Sequence, residues 1–178
     1  MLLLLVLVSG FLGGGSALGC EAEKPWPGTV YNKVVAYCYD YTQDAEEPNI
    51  ISGKGDRLHS GVIKPLTKTL DDTQIKELLG LLTTETTKIQ EEEDCFDPHH
   101  GFVFYDKDDK PVAWISICIG CNSRVSSPRL PISVLDYEMV EALLKKLGLP
   151  IDYENSVYTE LYENSKGWRE LPRERQTE

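Results

Sequence analysis

Apolar residues in this chain follow two periods, and the elements can be read from where one gives way to the other. From Thr29 to Tyr41, Val34, Ala36 and Cys38 alternate with Val35, Tyr37, Tyr39 and Tyr41. A strand with two apolar faces belongs in the middle of a sheet. Thr42 to Asp56 is acidic and carries Pro48 and two glycines, which predicts a loop. Leu58 to Leu66 supplies a second strand, with Pro65 marking its end or a sheet edge. The period then changes to 3.6. Ile75, Leu78, Leu79 and Leu82 stand at i, i+3, i+4 and i+7, Asp71 and Gln74 have capping-box spacing, and Leu70 and Ile75 form a hydrophobic staple. A helix over about 72–82 follows. Two further strand-like runs, Phe102–Tyr105 and Val112–Ile119, flank the turn-forming stretch Asp106 to Pro111 and predict a hairpin.

Asn122 to Pro131 reads as a Ser- and Pro-bearing loop. A second helix over about 135–147 follows, with Ser133 as cap, Asp136 in the first turn, and Met139, Val140, Leu143, Leu144 and Leu147 on its buried face. Gly148, Leu149 and Pro150 end it. These elements predict an α+β domain: a mostly antiparallel sheet that includes the 102–119 hairpin, packed by two helices. The domain is expected to span 29–171, with 172–178 a flexible tail.

The N-terminus changes the setting. Residues 1–12 are almost wholly apolar and run through small residues to Cys20, too short a stretch to span a bilayer and of the kind that ends at a cleavage zone. Residues 1–19 are therefore read as a signal peptide, although no Lys or Arg precedes the apolar run. Ser16-Ala17-Leu18-Gly19-Cys20 resembles a bacterial lipobox, which implies that Cys20 is lipidated and that 20–28, with Pro25, Trp26 and Pro27, form an anchor and tether. The resemblance implies an envelope location, facing the periplasm or the cell surface, with the membrane as a partner. An ordinary secreted protein with an incidental Cys20 is the alternative.

Charge removes other readings. With 29 acidic against 18 basic residues, a net −11, the chain is a poor match for phosphate backbones, and nucleic acid is excluded as a partner. Glu91, Glu92, Glu93 and Asp94 lack the alternating ligand pattern and glycine of a calcium loop, and the aspartates between the hairpin strands suit turn formation better than a metal. No phosphate loop, dinucleotide fingerprint, nucleophile elbow or HExxH helix is present. His59 is read as a strand-surface residue. Cys38 is either a small buried apolar residue or a disulfide partner.

The remaining chemistry is concentrated. Cys95, His99, His100, Cys118 and Cys121 fall within 27 residues, and folding the hairpin about Asp108 and Asp109 sets His99 opposite Cys118 and Cys95 near Cys121. Three chemistries compete for this cluster. A disulfide such as Cys95 with Cys118 or Cys121 suits an oxidising compartment. A Cys3His zinc site would use Cys95, Cys118, Cys121 and one imidazole. Thiol redox chemistry would use Cys118 and Cys121, but redox CxxC pairs sit at helix N-termini and this one ends a strand.

The run from Cys95 through Pro98, His99, His100 and Phe104-Tyr105-Asp106, followed by Ile117-Cys118-Ile119-Gly120-Cys121, resembles a group of uncharacterised bacterial secreted proteins and lipoproteins. The resemblance covers roughly Leu70 to Leu149. The group has Arg at the position of His99 and an aromatic at that of Ile119, which makes His100 the expected imidazole ligand and His99 the alternate. It implies no activity. The sequence thus points to an envelope lipoprotein domain that acts as a binding or interaction module for an unidentified protein or ligand, with a structural disulfide or zinc cluster. A thiol–disulfide oxidoreductase or a metal-dependent enzyme at Cys118 and Cys121 is the other reading.

Overall fold

The computed structural model describes residues 25–166 except 54, 89 and 92. The signal segment, Cys20 and residues 172–178 lie outside the described residues. Five strands form one antiparallel sheet in the order β4-β1-β5-β6-β7, with β1 at Lys33–Tyr39, β4 at Val62–Thr69, β5 at His100–Tyr105, β6 at Pro111–Cys118 and β7 at Ser123–Ser127. A short hairpin of β2 (Ile51–Ser52) and β3 (Arg57–Leu58) and a 3-10 turn at Tyr41–Asp44 cover one face. Helices α1 (Asp72–Thr83), α2 (Tyr137–Lys146) and α3 (Asn155–Ser165) cover the other. The α+β class holds, with three helices where periodicity predicts two.

The two apolar faces of β1 each fill a separate core. Val34, Ala36 and Cys38 join Phe102, Phe104, Ile115 and Ile117 under the helices. Val35, Tyr37 and Tyr39 join Val103, Ile50, Ile51 and Val62 on the far side. Pro65 is tolerated because β4 is an edge strand, where a missing N–H breaks no ladder bond. The capping box of α1 forms in full between Asp71 and Gln74, and Leu78 and Leu82 are completely buried, each contributing about 2 kcal/mol. At the β5–β6 tip, Asp106 accepts from the N–H groups of Asp108 and Lys110, both at 2.9 Å.

Several expectations need correction. The loop predicted at 122–131 contains β7, whose Ser-rich sequence hides it: it is an edge strand with exposed Val125 and is held by its ladder to β6. The stretch 42–56 contains the 3-10 turn and β2. In α2 the cap is Asp136, which accepts from the Met139 N–H at 3.1 Å. That start turns Tyr137, Val140, Leu143 and Leu144 inward and leaves Met139 exposed. Trp26 is not tether: it is buried, edge-on to Phe104, and its indole N–H donates to the Pro128 carbonyl at 3.0 Å. His59 is buried rather than at the surface, with Nδ1 accepting from the Gly61 N–H at 3.0 Å.

Candidate functional site

The hairpin register that gathers the cysteines is the predicted one. The β5–β6 ladder ends with His100 opposite Ile117, which sets His99 level with Cys118. Beyond β6 the chain turns sharply: the Cys121 N–H donates to Cys118 Sγ at 3.1 Å, and Asn122 has a positive φ of 48°. The segment before β5 is laced to this turn. The Glu93 N–H donates to the Cys121 carbonyl (3.0 Å), the Asn122 amide to the Glu91 carbonyl (2.9 Å) and the Ser123 hydroxyl to the Cys95 carbonyl (3.2 Å). Hydrogen bonds alone therefore bring Cys95 to the CxxC turn.

Three sulfurs meet there. Cys121 Sγ is in bonding contact with both Cys95 and Cys118, and the three Sγ atoms lie within 4.8 Å of one another. Sulfur completes one disulfide, so any pairing leaves a third cysteine unpaired beside it. Cys38 does not take part. It is wholly buried in β1, and desolvation pushes its thiol up to about 12.

All five predicted residues, Cys95, His99, His100, Cys118 and Cys121, line one cavity of about 550 Å³. Among the described residues, however, the group of donors close enough to share an ion contains the three sulfurs and neither imidazole. Both rings are engaged elsewhere. His100 Nε2 bonds the Pro150 carbonyl at 2.8 Å, and complete burial lowers the ring's pKa to about 4. His99 lies flat on Tyr158, with ring centroids 3.7 Å apart, and its nitrogens face the Tyr39 carbonyl (Nδ1, 3.1 Å) and Asn155 Oδ1 (Nε2, 2.8 Å). The Asn155 amide is oriented by a chain of donors. Its Nδ2 donates to the Tyr41 hydroxyl at 3.2 Å, and the Asp97 carboxylate stands near that hydroxyl. Burial, and then Asp97, push the Tyr41 phenol up to about 12. Burial likewise lowers the His99 pKa, against the pull of its two oxygen partners. The imidazoles are wall and scaffold of the cavity.

The rest of the lining was not anticipated. Glu93, Asp97, Asp152 and Glu154 add carboxylates, and Tyr153 stands over Gly120, where a Cβ would lie 3.3 Å from its ring. Residues 152–155 are held by the Tyr158 hydroxyl, which donates to the Asp152 carbonyl (3.1 Å) and accepts from its N–H (2.9 Å). The signal for this wall was the spacing of Tyr158, Leu161 and Tyr162, an amphipathic helical pattern. A cavity walled by carboxylates and sulfurs attracts cations and disfavours isolated thiolates.

Comparison with protein-family models, with curated proteins and with solved structures found no match. Among the described residues no helix is long and apolar enough to cross a membrane.

Proposed function

We propose that this is an envelope domain, delivered by its N-terminal segment and anchored through Cys20, whose Cys95, Cys118 and Cys121 bind a thiophilic metal ion, zinc first. The observation that carries the reading is the convergence of three sulfurs on the wall of an acidic, solvent-open cavity. A disulfide uses two of them and strands the third, whereas a metal ion uses all three. Thiolates around one tetrahedral zinc, each about 2.3 Å from it, stand about 3.8 Å apart, so Cys121 Sγ, which touches both neighbours, draws back from them when all three hold one ion. The N–H donated to Cys118 Sγ supports the thiolate form, as outer hydrogen bonds do at zinc centres. The carboxylates of the lining add the sign of field that a cation needs.

Three protein ligands leave a fourth position facing the cavity. That is the arrangement of sites that bind or exchange a ligand; closed four-ligand sites are structural. The domain then acts as a metal-dependent binding module, and the open position is where a partner's donor atom enters. Elemental analysis of untagged, reduced protein tests this. About one equivalent of zinc is expected, lost on Cys121→Ser, and less than about half an equivalent overturns the reading.

A further inference from the structure

The position of Cys121 has a second consequence, which uses the sulfurs of the proposed metal centre but not the metal. We infer that, when free of metal, the three cysteines form a disulfide relay with Cys95 as the entry thiol, Cys121 as the hub and Cys118 as the buried terminus. Cys121 Sγ reaches both partners. Cys118 and Cys121 are each only 3% exposed, while Cys95 is solvent-accessible. A substrate disulfide can therefore meet only Cys95.

The steps balance with a low-molecular-weight or protein disulfide, R–S–S–R′, as the oxidant. The Cys95 thiolate attacks one sulfur of R–S–S–R′, forming a Cys95–S–R mixed disulfide and expelling R′–S⁻. The Cys121 thiolate attacks Cys95 Sγ, forming Cys95–Cys121 and expelling R–S⁻. The Cys118 thiolate, supported by the Cys121 N–H, then attacks Cys121 Sγ, forming Cys118–Cys121 and returning Cys95 as a thiolate. Two protein thiols are oxidised, one external disulfide is reduced to two thiols, and the two protons go to the released R–S⁻ and R′–S⁻. The last step favours Cys118–Cys121 because it buries a neutral disulfide and leaves the ionisable thiol in water.

Cys95 is held beside the hub by hydrogen bonds from Ser123 and between Glu93 and Cys121, so it stays in place when its own disulfide opens. The carboxylates around the cavity repel anionic disulfides and favour basic ones.

The test treats the full chain, stripped of metal by a chelator, with one equivalent of the basic disulfide cystamine, and follows it by non-reducing peptide mapping. Cysteamine is expected first on Cys95, as a mixed disulfide. The end state is expected to be Cys118–Cys121, with Cys95 the one member of the cluster that iodoacetamide alkylates. In Cys121→Ser the mixed disulfide should persist on Cys95. Cysteamine appearing first on Cys118 or Cys121, an end state of Cys95–Cys121 with a free Cys118, or no oxidation at all would overturn the relay. The map of the unsubstituted chain is decisive even if Cys121→Ser misfolds. Zinc content of the same preparation before stripping decides the metal reading separately.

Discussion

At the level of single residues, Gly101 in β5 is a tight constraint beside the site. A methyl group there would lie 2.8 Å from Ile50 Cβ, 2.9 Å from its Cγ2 and 3.0 Å from the Ile115 carbonyl oxygen. The last of these is backbone and cannot turn aside. Gly101→Ala is therefore expected to cost about 2–3 kcal/mol, read as a lower urea midpoint at unchanged slope. An unchanged midpoint would show that the two sheets separate freely. The histidines set a pH dependence. Burial holds His59, His99 and His100 below their ordinary pKa, His100 at about 4. The folded state thus binds fewer protons than the unfolded one below about pH 6.5, and stability must fall as the pH drops from 6.5 toward 4. His100 alone accounts for about 3 kcal/mol of loss at pH 4. Urea unfolding at pH 7 and pH 4.5 measures this, and equal stabilities would mean that the imidazoles are hydrated. None of the three environments was legible in the sequence. A histidine beside a leucine reads the same whether its ring meets water or the N–H of Gly61.

Among the elements, those with strong local signals were legible and those held by tertiary contacts were not. The α1 box is written in Asp71 and Gln74, and both of its hydrogen bonds form at 2.9 Å. Asp71→Ala is expected to lower stability by about 1 kcal/mol, measured as a shift in thermal midpoint, without moving the thiol cluster on the far end of the sheet. Strand β7 carries no such signal, because the serines that compose it are specified by backbone pairing with β6. Helix α3 starts at Glu154 with no side-chain cap bond, and its buried face is built from Tyr158, Tyr162 and Ser165 rather than aliphatic residues. It nonetheless supplies one wall of the cavity. Tyr158→Phe keeps the ring against His99 and removes both hydrogen bonds to Asp152. It should therefore weaken zinc retention severalfold in a competition with a chromophoric chelator while leaving the helical circular dichroism unchanged. Unaltered retention would separate the 152–155 wall from the metal centre.

For the molecule as a whole, the partial legibility of the site has one cause. Residues that meet along a hairpin follow from counting back from its turn, which is why Cys95, Cys118 and Cys121 could be brought together from sequence alone. Residues supplied by a distant helix, such as Asn155 and Tyr158, require a packing that no local pattern encodes. The same division governs stability. The sheet and helices bury their cores without Cys95, Cys118 or Cys121, so the fold does not need the cluster, and a metal there should add to stability by mass action rather than permit folding. A ligand at 100 times its dissociation constant adds about 2.7 kcal/mol, which for a domain of this size raises the midpoint by about 5–10 °C. Reduced protein given excess zinc is expected to show that shift by differential scanning calorimetry, and chelator to reverse it. Protein oxidised to Cys118–Cys121 has lost two of its three thiolates and should show none. A shift of equal size in the oxidised protein would place the metal on the carboxylates rather than on the sulfurs.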